Sequence, residues 1–267
     1  MVRLNVTASG PAIDVARLAG AVPILIERSR TIGYDSDGTA VIDGERSTSI
    51  RLINGVGGQP GATYDLGQAL GEPAEVTVET DTVEQLGLRI RGTAEQEQLD
   101  GRLVLDRPGN PERLRMNGSM TSSEKTPVLG QQVELDGVLQ VAALIADTAQ
   151  VGNPGEPAGN RSTEPHGTVT MLSKAGRVEA SCRIHSSGSR WKVTVAARMK
   201  PRGLMLFAGP VWPFLRRRVA AAVAKSIGEF LTDSAKSLAA DFKPGDGPQQ
   251  VADRVWEELV DSEQQIR

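Results

Sequence analysis

The feature that most restricts what this chain can fold into is a double alternation between residues 177 and 200. Val178, Ala180, Cys182 and Ile184 alternate with Arg177, Glu179, Ser181, Arg183 and His185. Beyond Ser186-Ser187-Gly188-Ser189, the residues Trp191, Val193, Val195, Ala197 and Met199 alternate with Arg190, Lys192, Thr194, Arg198 and Lys200. A period of two sends successive side chains to opposite faces of a strand, so this is an antiparallel hairpin, apolar on one face and basic on the other. A four-residue loop pairs His185 with Arg190, and then Ile184 with Trp191, Cys182 with Val193 and Ala180 with Val195. It also sets Arg183 opposite Lys192 and Arg177 opposite Arg198. Like charges across an antiparallel pair cost roughly 0.2–1 kcal/mol, so the pattern asks for an anionic partner or an acidic region of the same molecule.

The charge distribution sharpens that demand. Residues 174 to 218 carry eleven basic side chains and one acid, Glu179, a sum of +10, whereas the whole chain is −3 and the remainder therefore −13. Such an asymmetry concerns partners more than fold, because summed charge sets the long-range potential. Intramolecular or subunit pairing stands slightly ahead of an external anion. Nucleic acid comes third: the hairpin has the charge, but only Trp191 and His185 could stack on bases from it.

Composition narrows the class. A length of 267 residues allows one large domain or two modest ones. Forty-four glycines and prolines favour strands and turns over a helical bundle. The single Cys182 rules out an intrachain disulfide framework or a cysteine-based zinc cluster, and His166 and His185 have no metal-ligand spacing, so each reads as a surface residue. The expectation is no metal and no cofactor. The first residues lack the apolar core of a signal peptide, and no run approaches the roughly 20 apolar residues a span requires. A cytoplasmic protein is expected, with peripheral membrane contact as an option.

Along the chain, Val2, Leu4 and Val6 read as a first strand, Ala12 to Leu18 as a short helix opened by Pro11, and Ile24-Leu25-Ile26 as either a second helix or a buried strand. From Thr31 to about Met120 the pattern is strands and turns, with Asp37-Gly38 and Asp43-Gly44 bracketing a β segment from Ala40 to Ile42. Asp136 to Gln150 reads as a short helix, and residues 152 to 165 as a loop or linker. A long helix from Val211 to Phe242 carries a stripe of Trp212, Leu215, Val219, Val223, Ile227, Phe230 or Leu231, Leu238 and Phe242. A last amphipathic helix runs from Gln249 to about Gln264, with Val251, Val255, Trp256 and Leu259 on one side.

The hairpin, the turn Met199-Lys200-Pro201-Arg202-Gly203-Leu204, the helix entry Pro213-Phe214-Leu215-Arg216-Arg217-Arg218 and the long helix together resemble the closing third of the START-like superfamily, the polyketide cyclase and lipid-transfer group, over Gly167 to Phe242. That resemblance implies an α+β fold in which a long C-terminal helix grips a curved antiparallel sheet, with a β-rich insertion (roughly residues 70 to 165) or a second related unit in the middle. The corresponding division is a β-rich N-terminal segment with short helices and a START-like opening (residues 1–150), a loop or linker 151–166, the closing hairpin and helix 167–242, and a C-terminal helix 243–267.

The resemblance further implies non-catalytic binding of an apolar or lipid-like small molecule between helix and sheet. The cavity residues would be Trp191, Val193, Val195, Met199, Trp212, Val219, Val223 and Ile227. Candidates for contact with an anion or partner are Arg177, Arg183, Arg190, Lys192, Arg198, Arg202, Arg216, Arg217 and Arg218. Two alternatives stay open. One is an assembly protein whose basic hairpin docks on an acidic surface of a neighbouring subunit, giving an oligomer. The other is attachment to anionic membrane through residues 204–218, where apolar and aromatic residues precede three arginines.

Catalytic signals are weak. Cys182 and His185 are three apart on a strand, so they point to opposite faces and form no dyad. Asp35-Ser36-Asp37-Gly38 lacks ligands at the first and last positions of a calcium loop and reads as a turn. In Gly55-Val56-Gly57-Gly58-Gln59-Pro60 a proline stands where a dinucleotide loop needs its third glycine.

Overall fold

A computed structural model describes residues 2–67, 72–94, 97–122, 132–149, 164–174, 176–187, 190–202, 212–241 and 246–261. The chain divides into two compact units, one of residues 1–16 and 125–244, the other of residues 17–124 and 245–267. The boundaries differ from those drawn on the sequence, because the first strand and the long helix pack together although some 200 residues separate them.

The first unit is built on the alternating hairpin. Strands β12 (Gly176–Ser187) and β13 (Arg190–Pro201) pair antiparallel. β1 (Val2–Pro11) joins the free edge of β13, and β11 (Gly167–Ser173) and β10 (Gln132–Gln140) extend the other side. The register is two residues from the one read on the sequence. Ser187 pairs Arg190, leaving two residues between the strands, and Ile184 faces Val193, Cys182 faces Val195 and Ala180 faces Ala197. A slip of two conserves every face, so alternation could not separate these registers; the shorter connection is the one that suits strand twist.

The shift also changes the charge pairs. Arg183 faces Thr194 and Arg177 faces Lys200, while Glu179 faces Arg198. Glu179 bridges Arg177 at 2.9 Å and Lys200 at 3.9 Å. Two like-charge pairs do occur: Arg177 with Lys200 inside the hairpin, bridged by Glu179, and Arg3 with Arg198 across the other edge of β13.

Residues 136–140, read as the start of a helix, continue β10, and the helix α2 covers only Val141–Ala149. Val133, Leu135 and Gly137 keep a period of two against Ser173, Met171 and Val169, so the ladder satisfies their backbone groups instead. The long helix α3 (Trp212–Asp241) packs on β1. Gly10 permits the approach: a Cβ there would lie 2.6 Å from Leu231 Cβ. Leu231 is buried and Phe230 is 67% exposed, which resolves the ambiguous stripe position in favour of leucine.

The second unit is an antiparallel run of strands in sequence order: β2 (Gly33–Tyr34), β3 (Thr39–Ile42), β4 (Glu45–Asn54), β5 (Thr63–Asp65), β6 (Ala74–Asp81), β7 (Gln85–Ala94), β8 (Glu97–Asp106) and β9 (Arg113–Ser122). Ile42 pairs Glu45 around Asp43-Gly44, both with positive φ (53° and 87°), the conformation of a two-residue hairpin turn. One helix, α1 (Val15–Arg30), replaces the two short elements expected before it and passes through Pro23 without a break. The last helix, α4 (Pro248–Asp261), buries Val251 and Ala252 completely. Arg28 of α1 donates to Asp253 of α4 and lies 6.0 Å from the centre of the Trp256 ring, tying the two helices together.

Candidate functional site

A cavity of about 360 Å³ lies in the second unit between the two helices and the sheet. Its helical wall is Val22, Leu25, Ile26 and Ser29 of α1 with Val255 and Trp256 of α4; its sheet wall includes Tyr34, Ile50, Tyr64, Val76, Val78, Leu86 and Leu88. Positions 22, 25, 26 and 29 fall on one helical face, and the pairs 76/78 and 86/88 each point to one face of a strand. Both local periods therefore deliver apolar side chains to the same space.

Polar groups gather at one end. Arg30, the last residue of α1, donates from Nε to Asp81 at 3.0 Å and from Nη2 at 2.6 Å, and from Nη1 to Glu27 at 2.5 Å. Asp81 and the glutamate hold the guanidinium charged and push its pKa up. Tyr34 and Tyr64 stand with ring centres 5.9 Å apart, and the Gly58 N–H donates to the Tyr64 hydroxyl at 2.6 Å. Burial, and then Tyr64, push the Tyr34 phenol well above its usual range, so it stays protonated. Gly57 makes room for this pair, since a Cβ there would come within 2.3 Å of the Tyr34 ring.

A second hollow of about 400 Å³ has the opposite character, with Arg28, Thr31, Asp43, Asp253 and Glu257 on its walls. Ile32 and Trp256 line both spaces.

Of the residues expected to form a cavity, the described side chains of Trp191, Val193, Val195, Met199, Val223 and Ile227 do not line the apolar one. Trp191 and Val193 are buried in a cluster with Leu231, packed by Ile184, Val195 and Ile227. Met199 and Val223 are half-buried. The side chains of Trp212, Val219, Arg216, Arg217 and Arg218, residues 203–211, and most of the loop 151–166 lie outside the described residues. The basic candidates Arg177, Arg183, Arg190, Lys192, Arg198 and Arg202 are all exposed on the first unit. All but Arg202 project from the sheet face opposite Trp191 and Val193, as does Arg3.

His166 is not a surface residue: it is 2% exposed. The Ile184 N–H donates to Nδ1 at 2.9 Å, which leaves the proton on Nε2 to meet Asp147 Oδ2 at 2.8 Å. With both nitrogens satisfied, the histidine ties α2 to β12. Cys182 faces inward against Gly167, and burial pushes its thiol up, away from thiolate chemistry. Among the described residues no cluster of three or more His, Cys, Asp or Glu is placed to hold a metal ion, and no helix is long and apolar enough to cross a membrane.

No protein-family model matches the chain, and no curated protein sequence matches it. Solved structures give faint likenesses. Ara h 8.0201 aligns at 11% identity and a TM-score of 0.25, over 86% of this chain and 97% of its own. TTHA0849 from Thermus thermophilus aligns at 8% identity and 0.24, over 96% and 98%, and DynU16, from the dynemicin biosynthetic locus, at 12% and 0.20, over 86% and 98%. At TM-scores this low the likeness carries no weight for fold or function. The START-like resemblance thus continues to rest on the residue pattern between 167 and 242.

Proposed function

We propose that this protein binds a small apolar molecule without transforming it, in the cavity that α1 and α4 close over the sheet of the second unit. The observation that carries the reading is the cavity itself: about 360 Å³ walled almost entirely by aliphatic and aromatic side chains, with polar groups confined to one end. A space of this size and lining matches small-molecule pockets, which bury most of the ligand in apolar surface and orient it with few polar groups. Filling it tests the reading. Native mass spectrometry of the purified chain is expected to show a discrete bound mass that Ile26→Trp, projecting into the cavity, removes while the fold persists by circular dichroism. A wild-type chain that carries no bound mass and gains no thermal stability from apolar probes overturns it.

A second reading is favoured by the division of charge. The first unit has seventeen basic and ten acidic residues, net +7, and the second has thirteen and twenty-three, net −10. The second unit's exposed charges are interleaved, as in Arg89–Asp100, Arg102–Glu79 and Arg115–Asp106, whereas the outer face of the first unit shows Arg3, Arg190, Lys192, Arg198 and Lys200 together. An assembly in which this face meets the acidic unit of a neighbouring copy follows from that complementarity. Sedimentation velocity would show a multimer that dissociates as added salt shortens the Debye length to about 3 Å near 1 M; a monomer at every salt concentration overturns this second reading.

A further inference from the structure

We propose that the ligand is uncharged and carries a hydrogen-bond-accepting oxygen, a carbonyl or ether, which receives a phenol proton from the Tyr34–Tyr64 pair at the polar end of the apolar cavity; this rests on the binding function proposed above. A count of protons carries the inference. Tyr34 and Tyr64 both line the cavity, and each hydroxyl brings one proton. The Gly58 N–H at 2.6 Å already gives the Tyr64 oxygen a donor, so that contact uses acceptor capacity and no phenol proton. Two neighbouring hydroxyls share one hydrogen bond at most. At least one phenol proton is therefore left over beside a space walled mostly by Val, Leu and Ile side chains; of the acceptors lining it, both Asp81 oxygens are engaged by Arg30 and the Ser29 hydroxyl is turned to the Ile26 carbonyl at 2.8 Å. A donor held in such surroundings gains from an acceptor on the ligand, and a ligand lacking one leaves it unpaired.

The ionic pair beside it sets the sign of charge. Both carboxylate oxygens of Asp81 are engaged by Arg30, and the guanidinium also donates to Glu27. Arg30 is thus committed to two acids, and the group as a whole has a net charge of −1. A ligand carboxylate would find no uncommitted cation there and would be desolvated beside like charge. A ligand ammonium would have to leave water for a cavity walled mostly by apolar side chains and compete with Arg30 for Asp81.

Four probes sharing one apolar body test this: 2-ethylnaphthalene, 2-acetylnaphthalene, 2-naphthoate and 2-naphthylmethylamine, titrated into the full chain by isothermal calorimetry at neutral pH. The ketone is expected to bind roughly three- to ten-fold more tightly than the hydrocarbon, the scale of one net hydrogen bond. The two ions are expected to bind more weakly than the ketone. In Tyr64→Phe and Tyr34→Phe the ratio of ketone to hydrocarbon affinity is read within each variant, so that a general change of the cavity cancels, and at least one variant is expected to lose the ketone's advantage. Equal affinity for ketone and hydrocarbon in the wild type overturns the inference. Tightest binding of the carboxylate or the amine does the same, as does a ketone preference that survives in the double variant. Failure of all four probes to bind overturns the binding function and this inference with it.

Discussion

Arg30 grips Asp81 with two parallel hydrogen bonds, Nε to Oδ2 at 3.0 Å and Nη2 to Oδ1 at 2.6 Å, joining the C-terminus of α1 to the end of β6 beside the apolar cavity. The carboxylate side chain is 11% exposed and the guanidinium 36%, so the pair is partly shielded. The cation also stands where the helix leaves carbonyls unpaired, the end at which positive charge is favoured.

Asp81→Asn is expected to lower stability by about 1 kcal/mol, the upper end for a partly exposed pair. Urea unfolding at low and high sodium chloride checks this, since screening should shrink the difference between variant and wild type. A difference that grows with salt would assign the effect to packing.

Gly10→Ala places a Cβ 2.6 Å from Leu231 Cβ, so α3 has to move off β1. Overpacking of this kind costs roughly 1–3 kcal/mol, and Leu231→Ala alone roughly 2–5 kcal/mol. Because both changes act on one contact, the double variant should lose clearly less than the sum. Additive losses in a urea double-mutant cycle would place the helix elsewhere.

The two histidines should differ widely in their response to truncation. His166→Ala strips the Ile184 N–H of its acceptor and Asp147 of its donor in a buried site, for a loss of roughly 3 kcal/mol. His185→Ala on the exposed face should change stability by less than about 0.5 kcal/mol. Thermal denaturation of the two single variants distinguishes the roles.

Acid should unfold the protein in a defined window. A hydrogen bond from Arg89 holds the Asp100 carboxyl below its usual range, and one from Arg28 does the same for Asp253. A depressed folded pKa contributes stability that is present above the unfolded value, about 3.9, and is lost as pH falls through the folded one. The urea midpoint should therefore drop below about pH 4, and Asp100→Asn with Asp253→Asn should flatten the fall.

Much of the architecture was legible as local periodicity. The hairpin at 176–201, its apolar and basic faces, the turn at Asp43-Gly44 and the long helix all follow from which positions are apolar. These are nearest-neighbour properties, set by backbone geometry and turn chemistry. Even the inert reading of Cys182 needed only strand alternation.

What failed to be legible depended on partners distant in sequence. Register is degenerate to a slip of two residues, so the cross-strand charges around Glu179 emerged only with the pairing. His166 reads as a lone polar residue until α2 brings Asp147 and β12 brings the Ile184 N–H to its ring. The cavity is the clearest case. The run Ile24-Leu25-Ile26 and the pairs Val76/Val78 and Leu86/Leu88 were each visible as apolar, as were Tyr34 and Tyr64 as the aromatics of the first 190 residues. Local pattern was enough to say that these side chains would leave water. That they leave it around one shared space is a property of the fold, because two helices separated by more than 200 residues must converge on a single sheet to enclose it.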